Sequence, residues 1–427
     1  MDRDRYEERL VPVTHRHSGY VFTDHTIAVP LDHAAPGGRT IELFAREVVA
    51  VDREPANLPW LLYLEGGPGN RAPRELPAWL ERASRNYRVV LLDQRGTGRS
   101  TPVTRQTLTD LAVSAHDLRH FRADSIVRDA ELLRAHLVGD RPWSVLGQSF
   151  GGFCALTYLS LAPEGLREVM IAGGLPSLTA SPYDVYRAAY PRVLAHNNRF
   201  FARYPGDQEI AAKVVDRLRE HEVSLPGGEV LTPRRFQTLG ITFGQERRFD
   251  LLHHLLEEAF IGRDRLSDAF LRGVDSVVSF AAHPLYALLH EMIYCQGEGS
   301  AWAAHRALAE FPEFDLDRGG PVRFIGEMIF PWHFEEDPAL APLRSYAEHL
   351  AGDTSWPHLY DPDRLARNTV PVAAAIYHDD LYVDREHSLV TAGAVRGLVH
   401  WITNEYAHDG LSRSPAVLDR LIRMVRG

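Results

Sequence analysis

Two rhythms of apolar residues divide this chain. Residues 20 to 31 and 40 to 50 alternate apolar with polar side chains around the turn signal Ala35-Pro36-Gly37-Gly38, which predicts an antiparallel hairpin at a sheet edge. The alternation then gives way to near-continuous apolar runs, Pro59-Trp60-Leu61-Leu62-Tyr63-Leu64 and Arg88-Val89-Val90-Leu91-Leu92, as expected of parallel strands covered on both faces. Trp143-Ser144-Val145-Leu146 and the stretch 166 to 172 continue the series. Helical stretches fall between the runs at 75 to 84 and 122 to 137, the latter with Ile126, Ala130, Leu133 and Leu137 at helical spacing. Alternating βα units imply a parallel sheet.

From about 176 to 350 the strand rhythm stops, and helical patterns with Pro and Gly breaks, aromatics and paired acids take its place. It returns at 371 to 377 and 398 to 403, and the chain closes on an amphipathic helix over 414 to 425. The expected organisation is therefore an α/β domain built from 1–175 and 351–427, with a mostly parallel central sheet and an inserted helical cap at 176–350. No internal repeat or low-complexity tract interrupts it.

Composition narrows the partners. The formal net charge is −10, the acids are scattered and there is no Lys/Arg-rich block, so a nucleic-acid partner is not expected and a cationic ligand suits the chain better. The two cysteines, Cys154 and Cys295, are too few and too far apart for a disulfide framework; both read as buried packing residues in a reducing compartment. The start, MDRDRYEERLVPV, lacks the apolar stretch of a signal peptide, and no run of about 18 apolar residues occurs, so neither export nor a membrane span is expected and the cytoplasm is the predicted location.

The chemistry enters at residues 147 to 152, GQSFGG. An apolar strand leads in, an apolar helical run (153 to 159) leads out, and Ser149 stands at the bend. This is the context of a nucleophile elbow, in which Gly147 and Gly151 remove the Cβ atoms that would collide where the backbone crosses itself. A serine needs a base, and the base needs an acid to fix its tautomer. In this topology the order is Ser, acid, His. Among 21 histidines, His408 alone combines a turn-rich loop with a position just after the last strand and before the final helix. Asp379, Asp380 and Asp384 follow strand 371 to 377; Asp380 has the best offset, Asp384 is the alternative, and Asp379 reads as a solvated loop carboxylate. An oxyanion needs two aimed amides. Phe150, after the nucleophile, supplies one, and the loop Glu65-Gly66-Gly67-Pro68-Gly69 supplies the other, assigned to Gly67. That loop is no phosphate loop, since no Gly-Lys-Ser/Thr follows.

GGPG at 66 to 69, DQRGTGRS at 93 to 100 and GQSFGG at 147 to 152, in that order, resemble the proline iminopeptidases, α/β-hydrolases of the serine peptidase type. The likeness extends to VPVAAAIYHDDLYVD at 370 to 384, WITNEYAHDG at 401 to 410, and HEMIYCQG and GEMIFPW in the cap. The resemblance implies the α/β-hydrolase fold, release of an N-terminal proline from a peptide, and a triad completed by Asp380 and His408. One departure is visible: many members have a histidine before GGPG, where this chain has Glu65. An unpaired carboxylate there would oppose a developing oxyanion.

A free N-terminal imino group is cationic near neutral pH, so its pocket needs carboxylates. Glu291 and Glu327, set among apolar cap residues, are the candidates for substrate binding, with structural capping as the equal alternative; Glu246 and the pair Glu257 and Glu258 are weaker, a helical acidic pair being usually a wet face. Trp302, Trp332 and Phe150 suit an apolar proline pocket or plain core. The Arg95 stretch reads as a structural turn and ion-pair element. No metal or cofactor is expected. The expected function is a serine aminopeptidase acting through an acyl-enzyme. An esterase, amidase or lactonase with the same triad is the nearest alternative, and a non-catalytic ligand receptor the alternative from another class.

Overall fold

A computed structural model describes residues 12–108, 113–245 and 248–427. Seven strands precede the helical insertion: β1 (Val13–His17), β2 (Tyr20–Pro30), β3 (Thr40–Ala50), β4 (Trp60–Leu64), β5 (Arg88–Leu92), β6 (Trp143–Gln148) and β7 (Leu166–Ala172). The two-residue strands β8 (Phe260–Ile261) and β9 (Arg265–Leu266) pair within the insertion, and β10 (Val372–Tyr377) and β11 (Leu398–Thr403) follow it. The main sheet has the order β1-β2-β3-β5-β4-β6-β7-β10-β11. From β5 to β11 neighbouring strands are parallel, and β1, β2 and β3 attach antiparallel.

The expected hairpin forms in continuous register from Tyr20↔Ala50 to Pro30↔Thr40. It does not hold the edge, however, because β1 pairs outside β2. The five residues of β1, VTHRH, are mostly exposed and carry one aliphatic side chain, so no apolar alternation marks them. Backbone pairing across the Ser18-Gly19 turn, both at positive φ (51° and 81°), recruits them instead.

The inner parallel strands are covered on both faces, since Leu61 to Leu64, Val89 to Leu92 and Val372 to Tyr377 are all buried, whereas edge strand β11 is largely exposed. Helix Phe150–Leu161 is apolar all round and is enclosed in the same core; helix Ala123–Val138 turns Ile126, Ala130 and Leu133 inward. In the insertion, helix Pro182–Arg203 starts on a capping box, in which Ser181 Oγ accepts the Asp184 amide and the Asp184 carboxylate accepts the Ser181 amide. The insertion has its own aromatic core, including Tyr190, Phe200, Phe236, Phe243, Phe324 and Phe330. The stretch 285–293 within it does not: Leu285, Leu288, Leu289 and Ile293 join Phe150 and Phe153 in the core of the α/β layer. This stretch of the helical insertion thus packs beside the elbow. No helix among the described residues is long and apolar enough to cross a membrane.

Candidate active site

Ser149 sits between β6 and helix Phe150–Leu161 at φ 53°, ψ −123°, a conformation that costs a non-glycine residue about 1–3 kcal/mol. Its neighbours hold it there. The Ser149 amide donates to Ala172 O at the end of β7 (3.0 Å), and its carbonyl accepts the Gly152 amide (2.7 Å). A Cβ on Gly151 would stand 1.9 Å from Leu64 O and one on Gly147 2.3 Å from Gly151 O, so the crossing admits only hydrogen at both positions. Gly66 approaches from the opposite side, its Cβ direction ending 3.1 Å from Ser149 Cβ. The loop after β4 and the elbow therefore face one another across the serine.

His408 and Asp380 meet. His408 Nδ1 lies 2.8 Å from Asp380 Oδ2, and Asp380 Oδ1 accepts the amides of Tyr382 (2.9 Å) and Val383 (3.0 Å). Both side chains are buried. Burial alone would push the imidazole pKa down, but the charge and hydrogen bond of Asp380, with the charge of Glu327 added, hold it above the ordinary histidine value. The histidine loop is tied to the elbow by Gln148 Nε2, which donates to His408 O (3.2 Å), and to the cap by the His408 amide, which donates to Gly244 O (3.0 Å). The two competing aspartates are engaged elsewhere. Asp384 caps helix Arg385–Ala394 and pairs with Arg192; Asp379 is exposed and pairs with Arg199 at 3.0 Å.

Phe150 follows Ser149 directly in the chain, and Gly67 belongs to the loop whose Gly66 faces the serine. Phe150 opens its helix, where the first amides have no acceptor one turn back. The Gly66 amide is committed to the Glu65 carboxylate (2.8 Å), which leaves Gly67 as the next amide along the loop. Burial pushes the Glu65 carboxyl up to about 7, opposed by the Gly66 amide and the Tyr63 hydroxyl. The motif after β5 braces this loop: Asp93 accepts the Ala72 amide (3.1 Å) and pairs with Arg74, and Gln94 Nε2 donates to Glu65 O (3.0 Å). Fully buried Arg95 donates to Asp129 and to the carbonyls of Pro30, Leu31 and His120, locking the motif to β2 and helix Ala123–Val138.

The two cap glutamates part company. Both carboxylate oxygens of buried Glu291 accept amides that open helix Ala303–Leu308, from Ala304 (2.9 Å) and Ala303 (3.1 Å). Partly buried Glu327 instead accepts the Tyr286 hydroxyl (2.5 Å) and faces a cluster of tyrosines, Tyr186, Tyr294 and Tyr382, each of whose ionisation its charge opposes. Glu246 lies outside the described residues. Glu257 pairs with His253 and His254 on an exposed helix face, and Glu258 is exposed. Trp332 stacks on His333 and Phe330 within the cap core, while Trp302, in the left-handed conformation ahead of helix Ala303–Leu308, packs against Phe334. Phe150 is buried and its ring contacts Phe153, which in turn meets Tyr294. Cys154 and Cys295 are free and buried.

Sequence reading missed Tyr382 and Tyr286. Tyr382 packs near-perpendicular to His408 (4.8 Å between ring centroids, 81°) and donates its hydroxyl to Ile241 O, so the 238–244 segment, which also accepts the His408 amide, grips both the acid and the histidine loops. An aromatic beside an aspartate looks like any core residue in one dimension; only the pairing of distant loops exposes its position.

A family model described as alpha/beta hydrolase fold matches residues 59–237. The chain is 49% identical over 408 residues to a proline iminopeptidase of Aeromonas sobria, spanning 94% of this chain and 96% of that one. It is 38% identical over 400 residues to a proline iminopeptidase of Aspergillus aculeatus, spanning 90% and 88%. With this extent of likeness, an α/β-hydrolase sheet and an elbow serine faced by the GGPG loop, the chain belongs to the proline iminopeptidase family.

Proposed function

We propose that the protein is a cytoplasmic serine aminopeptidase that releases N-terminal proline from peptides. The observation that carries this reading is the Asp380–His408 pair, tied by Gln148 to the elbow that holds Ser149 and sensing the charge of a carboxylate from the helical segment, Glu327. Ser149 Oγ attacks the carbonyl carbon of the N-terminal proline as His408 Nε2 takes its proton. Asp380 fixes the Nδ1–H tautomer and stabilises the imidazolium. The Gly67 and Phe150 amides receive the oxyanion. His408 then protonates the leaving amine, and water, activated by the same histidine, releases proline from the acyl-enzyme. Glu327 holds the cationic imino nitrogen, and segment 176–350 acts as the cap that carries it. Glu291 supports the subsite by fixing the start of helix Ala303–Leu308.

The test compares proline p-nitroanilide, N-acetyl-proline p-nitroanilide and a short-chain p-nitrophenyl ester. The free anilide should be strongly preferred over the acetylated one. Glu327→Gln should cost the free anilide about 1.5–3 kcal/mol in kcat/KM, the range for a hydrogen bond to a charged group, and leave the ester little changed. Equal rates on the free and acetylated anilides would replace the aminopeptidase by an esterase or amidase.

A further inference from the structure

The amine-binding carboxylate and the oxyanion loop belong to different parts of the chain, yet one residue touches both. Gly69, the last residue of GGPG, has φ 81°, and a Cβ there would stand 2.6 Å from Tyr286 N and 2.9 Å from Leu285 C. The backbone of cap helix Pro284–Leu289 therefore lies directly on the loop, with room for nothing larger than hydrogen between them. From that seat the Tyr286 side chain runs inward, buried, and its hydroxyl donates to Glu327 Oε1 at 2.5 Å. Its ring is itself fixed, stacked on His290 (4.9 Å between centroids, 26°) and Phe280 (5.9 Å, 18°). His290, kept neutral by burial, donates from Nε2 to the Glu327 carbonyl at 3.3 Å, so the backbone and the side chain of Glu327 are held by two residues one helical turn apart.

This arrangement meets a specific demand of the reaction. A glutamate has several rotatable bonds, and a carboxylate free to swing would hold a substrate nitrogen at many distances from Ser149. Attack requires the scissile carbonyl to be placed to a fraction of an ångström relative to serine and oxyanion amides. A second run of contacts, through the rings from Phe150 to Phe153, Tyr294 and Tyr186, joins the elbow helix to the helical segment. That path passes through apolar packing. Among the described residues, the hydrogen bond that ends on the carboxylate is that of Tyr286.

We infer that Tyr286 is the positioning residue of the amine subsite: its hydroxyl orients Glu327, and its backbone, seated on Gly69, keeps that carboxylate in register with the oxyanion loop. The inference rests on the reading of Glu327 as the partner of the substrate nitrogen. The substrate class it bears on is peptides with a free, charged N-terminus; neutral esters do not call on it.

Tyr286→Phe keeps the ring stacking and removes only the hydroxyl, and its fold is checked by a thermal melt. With proline p-nitroanilide it should lower kcat/KM about tenfold, the size of losing one hydrogen bond to a charged group, chiefly through KM. With a p-nitrophenyl ester it should leave kcat/KM within about twofold of wild type, an outcome that a merely structural role would not give. In the double variant, Tyr286→Phe should add no further loss to that of Glu327→Gln, because the hydroxyl acts through that carboxylate. Unchanged anilide kinetics in Tyr286→Phe, equal losses on both substrates, or full additivity in the double variant would each overturn the inference while leaving Glu327 in place. If Glu327→Gln itself spares the anilide, the amine-subsite reading falls, and this inference with it.

Discussion

Asp380 Oδ2 and His408 Nδ1 stand 2.8 Å apart, and the second oxygen of the same carboxylate is filled by two backbone amides. The aspartate is thereby fixed in place before it meets the imidazole. Asp384, four residues on, spends its oxygens on a helix N-terminus and Arg192. Asp380→Asn should lower kcat by about 10⁴-fold with a nearly unchanged melt, since an amide leaves the geometry but loses the charge and the correct tautomer. Asp384→Asn should cost about 1 kcal/mol of stability and little rate. Steady-state kinetics with thermal melts of both variants decide it, and the opposite ranking would move the acid to Asp384.

Ser149→Ala should abolish turnover by several orders of magnitude without unfolding the protein, because the elbow is held by Gly147, Gly151 and the Ala172 and Gly152 hydrogen bonds rather than by the hydroxyl. A serine-directed acylating reagent should label Ser149 in the wild type, and peptide mass mapping reads the site. Activity within about tenfold of wild type would refute the assignment.

Glu291→Gln places an NH₂ group where one of two backbone amides now finds an acceptor. The resulting loss should lower the melting temperature and reduce anilide and ester turnover alike, in contrast to Glu327→Gln, whose effect is confined to free amines. A substrate-selective loss in Glu291→Gln would instead give it a direct part in amine binding.

Glu65 gives the pH dependence. Its pKa in the folded chain, about 7, exceeds the ordinary value of 4.5, so its neutral form favours folding. That contribution is fully present below about pH 4.5 and is lost as pH rises through about 7. Raising the pH across this window should therefore destabilise the wild type relative to Glu65→Gln. Ionised Glu65 beside the GGPG loop also opposes the oxyanion, so Glu65→Gln should hold its kcat/KM on the alkaline side where the wild type declines. The acidic limb, set by deprotonation of His408, should lie above the ordinary histidine value in both. Superimposable profiles and stabilities would show that Glu65 stays clear of the oxyanion.

The sequence by itself determined the layers, the elbow at Ser149 and the pairing of Asp380 with His408. Apolar runs marked the inner parallel strands β4, β5 and β10 because burial on both faces leaves no alternation, and the elbow was legible in part because Gly147 is required by a contact four residues on, with Gly151. Asp380 and His408 were legible because the ends of parallel strands bring their loops to one edge of the sheet, so chain position stands in for proximity. Strand β1 was not legible, since its place depends on backbone hydrogen bonds that no side-chain pattern records. The difference between Glu291 and Glu327 was equally hidden: both lie among apolar residues, and only folding decides that one carboxylate meets the start of a helix and the other a tyrosine hydroxyl. The same holds for Tyr382 against His408 and Tyr286 on Gly69, contacts across long separations whose existence follows from how the cap settles on the sheet.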